Sequence, residues 1–140
     1  MNFRFKHDKV KRGRNPNDKG GVEKVKLKEL TEQLLQHLVQ LKEQYETQAA
    51  PENKKDASYF EFVKKETDPI FDRLETWETE ALEMVKSRTI NVHPQQVAST
   101  KENMELLLLH SYYNDVRRKR YMELYKSVRY IFDQIIGELA

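Results

Sequence analysis

No glycine occurs anywhere between Val22 and Ile136, and that absence constrains the fold more than any other feature of this chain. Tight β-hairpins lean on Asn-Gly or Asp-Gly pairs, whose backbones accept positive φ, and neither pair is present. Three prolines, Pro51, Pro69 and Pro94, punctuate the same span. The pattern predicts long helices with few breaks.

Four apolar stripes at helical period fill the span. Leu27, Leu30, Leu34, Leu38, Leu41 and Tyr45 recur at steps of three and four and predict a helix over residues 22–47. Pro51 cannot continue a helix interior, so Ala49 to Lys55 is a break. The second stripe is Phe60, Val63, Ile70, Leu74, Trp77, Ala81 and Val85, opening near Asp56 or Ser58. Ser58 and Glu61 have capping-box spacing. The stripe stays in phase across Pro69, which favours one helix over two; the alternative is a fresh start with Asp68 as N-cap. Pro94 suits the first position of a third helix carrying Val97, Met104, Leu107 and Leu108. Leu106 and Leu109 widen its stripe and predict burial on more than one side. Tyr113-Asn114-Asp115 is the expected turn into a fourth helix, residues 116–139, with Tyr121, Tyr125, Val128, Phe132, Ile135 and Leu139 facing inward. Short connections between long stripes predict an all-α, antiparallel up-down-up-down four-helix bundle over residues 22–140. Leu, Ile, Val and Phe make up a quarter of the chain, above the roughly 20% below which chains tend to stay disordered. Trp77, the one tryptophan, is in phase with Leu74 and Ala81 and reads as a core anchor.

Charge is unevenly spread. Residues 1–21 carry seven basic and two acidic side chains, and the remaining residues are net acidic by three. With three of the four glycines and no helical repeat, residues 1–21 read as a flexible basic arm. They are also open to a second reading, as a translated leader. Lys19-Gly20-Gly21-Val22 can be encoded as AAAGGAGGT, which is like a ribosome-binding site, and Val25 as a GTG start. The absence of cysteine excludes a disulfide scaffold, a thiol nucleophile and a cysteine-built zinc site. The longest apolar run, Leu106 to Leu109, is far short of the roughly 20 residues of a membrane span. These features point to a cytoplasmic domain with no membrane partner.

Three stretches carry a family likeness. Asn91-Val92-His93-Pro94-Gln95-Gln96 opens the third helix, Ser111-Tyr112-Tyr113 leads into Arg117-Arg118-Lys119-Arg120-Tyr121, and Glu123 to Tyr130 follows. With Tyr59-Phe60 and the Trp77 segment, the chain from about Leu27 to Leu139 resembles the YppE-like family of small helical proteins from Gram-positive bacteria. The resemblance implies a four-helix bundle. It implies no activity and no site residues, because that family's function is unknown. The basic arm has no counterpart in it.

Candidate chemistry is sparse. The histidines are His7, His37, His93 and His110, and none has a carboxylate three residues before it, as a di-metal bundle requires. They read as hydrogen-bonded structural groups. Glu75 with Glu78, and Glu102 with Glu105, have the i, i+3 spacing by which all-α hydrolases hold Mg²⁺, a spacing that solvated helix faces share. No cofactor motif is present, and no catalytic set stands out. The sharpest charge run is Arg117, Arg118, Lys119 and Arg120, a candidate interaction patch near Tyr112, Tyr113, Tyr121, Tyr125 and Tyr130. Basic groups neutralise phosphates and rings stack on bases, but tyrosines in phase with the core pack inward, and basic residues at a helix start also pair with neighbouring carboxylates. The leading expectation is a non-enzymatic module that binds another protein. The alternatives are a nucleic-acid accessory protein using the arm and Arg117–Arg120, and a carboxylate-Mg²⁺ hydrolase. An exposed apolar patch, a continuous positive face or converging buried carboxylates would favour each in turn.

Overall fold

The computed structural model describes residues 16–140, with side chains from Gly21 onward. They form four helices and no strand: α1 (Pro16–Thr47), α2 (Ala57–Lys86), α3 (Pro94–Tyr113) and α4 (Arg118–Leu139). Residues 1–15 of the expected arm, His7 among them, lie outside the described residues. The arm boundary moves, because α1 begins at Pro16 and runs unbroken through Gly20 and Gly21. Proline at a helix start gives up an N–H that has no intrahelical acceptor anyway.

The helices pack as a ring in chain order, α1 against α2, α2 against α3, α3 against α4 and α4 back against α1. Neighbours are antiparallel. Lys26 meets Glu80 while His37 meets Arg73, and Ser111 meets Tyr121 while Thr100 lies across a cleft from Ile131. α1 and α3 also touch across the diagonal, whereas the α2 and α4 backbones stay apart and meet through side chains such as Trp77 and Phe132. The core is the sum of the four stripes. Leu27, Leu34, Leu38, Leu74, Trp77, Met104, Leu107, Leu108, Tyr121, Phe132 and Ile135 are all fully buried. Trp77 spans the middle, edge-on to Phe132 of α4 at 5.3 Å, with Nε1 donating to Thr31 Oγ1 of α1 at 3.0 Å. Buried polar atoms need partners, and Thr31 in turn donates to the Leu27 carbonyl.

Helix ends explain the connections. The N-cap of α2 is Asp56, whose carboxylate accepts from Ser58 N at 2.9 Å and Tyr59 N at 3.4 Å; the expected Ser58–Glu61 box is not the cap. Asp56 is placed to satisfy two orphan amides, and a serine two residues further in is not. α2 remains one helix through Pro69. Its end is closed by Arg88 at φ 63°, with Thr89 N donating to Met84 O and Arg88 N to Val85 O. These two bonds make a Schellman motif with arginine where glycine is usual. His93 caps α3, with Nδ1 accepting from Gln95 N and its own amide donating to Gln96 Oε1, both at 2.9 Å.

α3 is covered on more than one side as expected, but the expected burial of Phe60, Leu106 and Leu109 is overturned. Phe60 is 54% exposed, because it lies one turn ahead of Val63, the first buried residue of α2. Leu106 and Leu109 are 41% and 44% exposed, on the one side of α3 that no other described helix covers.

Candidate interaction surface

The α1 C-terminus, the α2 start, the α3 C-terminus and the α4 start meet at one end of the bundle. Asn114, at φ 47°, ψ 47°, makes the sharp turn between α3 and α4. Asparagine is among the few residues that tolerate this left-handed geometry. Its Nδ2 donates to the carbonyls of Tyr45 at 3.0 Å and Gln48 at 2.7 Å, closing the exposed carbonyls of α1. Tyr45 stacks on Tyr121 at 4.0 Å and donates through its hydroxyl to Val116 O at 2.6 Å. The Tyr121 hydroxyl pairs with Ser111 Oγ at 2.6 Å. Burial outweighs that hydrogen bond and pushes the Tyr121 phenol up to about 12, so the ring is a neutral structural group. This end is tied together by side chains from three helices.

Aromatic rings continue outward from it. Tyr59 packs edge-on to Tyr113 at 5.4 Å and donates its hydroxyl to the Tyr112 carbonyl. Phe62 lies 6.0 Å from Tyr112 and 5.9 Å from Tyr59. Phe62 is 48% exposed, and Phe60 lies on the same first turns of α2. Phe62 therefore faces solvent from a bed of half-buried tyrosines, while Phe60, two residues earlier in the same helix, is exposed on a different face of α2. The four residues of the expected basic patch are all exposed at this end. Arg118 reaches back to Glu46 of α1 at 2.5 Å, and Arg120 lies 3.7 Å from Glu123. The Arg118 hydrogen bond, with that of Lys42, holds the Glu46 carboxyl below the usual carboxylate range. Arg117 is the α4 N-cap through its backbone alone, and neither it nor Lys119 has a side-chain partner among the described residues. Half of the patch is thus engaged within the fold and half is free to meet another molecule.

The other candidate groups are placed apart from this end or bound within the fold. His37 Nε2 accepts from Arg73 at 2.9 Å, and burial followed by the Arg73 charge lowers its pKa. His93 is the helix cap, and His110 Nδ1 lies 2.7 Å from Asp115. Glu75 and Glu78 of α2 and Glu105 of α3 do converge, but on Lys101, which bonds Glu105 at 2.9 Å. Burial opposes the Lys101 charge; the three carboxylates outweigh it and raise the pKa. The cation such carboxylates attract is already an ammonium of the chain, and Glu102 is exposed away from it. Among the described residues no group of three or more His, Asp or Glu side chains is arranged to hold a metal ion. A shallow cleft of about 410 Å³ between α3 and α4 is lined by polar groups, including Gln96, Ser99, Lys126 and Tyr130.

The exposed phenylalanine pair was not anticipated. Phe60 is in phase with the core, which hides its exposure. Phe62 carries the signal, since an aromatic residue one step before a stripe position points off the core.

The model of the bacterial domain of unknown function DUF1798 matches residues 31–139. The uncharacterized protein YppE of Bacillus subtilis is 28% identical over 115 residues, spanning 81% of this chain and 92% of that protein. The crystal structure of that protein aligns with a TM-score of 0.69 at 24% identity, over 81% of this chain and 92% of that one. A protein of unknown function from Listeria innocua aligns with a TM-score of 0.70 at 19% identity, over 84% and 94%. Identity this low supports a shared fold.

Proposed function

This chain belongs to the bacterial DUF1798 family of domains of unknown function, which assigns it no activity, and from its own surface we propose a non-enzymatic protein-interaction module. The observation that carries the reading is the half-exposed ring of Phe62, packed on Tyr59 and Tyr112, with Phe60 also exposed on the first turns of α2. Aromatic side chains on a rigid base lose little entropy on binding and are enriched at binding hot spots. Arg117 and Lys119 at the same end, with Lys54 and Lys55 just before α2, favour a protein segment that offers an apolar side chain flanked by carboxylates. No helix among the described residues is long and apolar enough to cross a membrane, and a cytoplasmic site of action belongs to the same proposal.

Affinity capture from the native cell tests it, using the full chain and a Phe60→Ser, Phe62→Ser variant, each with and without nuclease. Both side chains are exposed, so the variant folds as the parent does. The reading expects a protein captured by the parent, indifferent to nuclease and lost with the variant. Capture that vanishes with nuclease would instead support the nucleic-acid reading, which rests on the arm and Arg117–Arg120.

A further inference from the structure

We propose that the outward face of α3 seats a second copy of this chain, about a two-fold axis parallel to the helices. Leu106 and Leu109 lie three residues apart and form a single strip along α3. α1, α2 and α4 cover the other sides of this helix, so the strip faces solvent. Single exposed leucines are ordinary. Here two lie one turn apart on the same strip, and the helices on either side of them differ in charge.

α2 flanks the strip on one side and carries eight carboxylates against four cations. Glu75 and Glu78 lie on its α3 side, near Lys101. α4 flanks the strip on the other side, with five cations against three carboxylates. Lys126 and Tyr130 lie on its α3 side, lining the cleft with Gln96 and Thr100. Both flanking groups therefore stand level with the first half of α3. Closed self-association requires one patch to complement itself. A two-fold axis across the helices would set α2 against α2 and place carboxylates opposite carboxylates. An axis along them sets α3 on α3 and each α2 against the second copy's α4. Glu75 and Glu78 then face the second copy's Lys126 twice over, beside the leucine contact and nearer the start of α3. Apolar contacts bordered by charged groups are common in protein interfaces. This surface is distinct from the aromatic end, and either proposal stands without the other.

Light scattering and sedimentation of the full chain over a concentration series test the idea. The mass is expected to rise from monomer to dimer with concentration. Leu106→Lys with Leu109→Lys should hold the chain monomeric while its circular dichroism is unchanged, both sites being exposed. Lys126→Glu alone, or Glu75→Lys with Glu78→Lys, should each weaken association by about tenfold or more, because like charges then face each other. Mixing those two variants should restore it, since every facing pair is again opposite in sign. A chain that stays monomeric throughout, a dimer indifferent to the leucine changes, or a mixture that fails to recover would each overturn the proposal.

Discussion

Trp77 shows how one side chain joins three helices. Its ring is fully buried against Phe132 of α4, and its N–H is used by Thr31 of α1. Trp77→Ala should cost about 3–5 kcal/mol in denaturant unfolding, because a large cavity opens where little can collapse. A loss under about 1 kcal/mol, the range of an ordinary surface change, would contradict this placement. His37 makes a second prediction at this scale. Burial and Arg73 lower its pKa below the ordinary 6.5, so the native state prefers the neutral ring that accepts from Arg73. The unfolded chain then binds more protons at that histidine, and its stabilising contribution falls as pH drops below about 6.5. His37→Gln should flatten the stability profile in that window. An unchanged slope there would sink the assignment.

Element ends decide more than element interiors. Arg88 closes α2 in the left-handed region, which is costly for any residue with a Cβ. Arg88→Gly should therefore raise stability by about 0.5–1 kcal/mol, read as a higher unfolding midpoint, and a lower midpoint would show that the arginine side chain matters to the turn. These ends are also where the sequence was hardest to read. The four stripes were legible because each helix buries one face, and burial of one face imposes a period that any reader can see. The cap of α2 was not, because Asp56 and Ser58 both suit the role and only the direction of the chain selects the carboxylate. Pro16 as a helix start was masked by the glycine pair at Gly20 and Gly21. Leu106 and Leu109 advertise hydrophobicity but not how many neighbours α3 has, so their exposure had to come from the packing. Phe60 hides in the same way, in phase with a core that begins a turn later. Of the candidate site, the exposed basic run was visible from residue order alone. The aromatic bed was not, since it joins residues more than fifty positions apart.

The described residues form a closed ring of four helices. The core uses most of the large apolar side chains, and the buried polar groups Thr31 and Ser111 are hydrogen-bonded. The exposed features include Phe60 and Phe62 at one end, a leucine strip along α3, single side chains such as Val22, Val39 and Leu82, and a charge contrast between α2 and α4 across the diagonal. The aromatic end is the surface on which the proposed protein interaction depends. The most direct measurement places a photoreactive p-benzoylphenylalanine at position 60 in living cells and resolves what it captures on illumination. A discrete protein adduct that survives nuclease and is lost when Phe62 is also changed to Ser is the expected result. No adduct at position 60, or a nuclease-sensitive one, would contradict it.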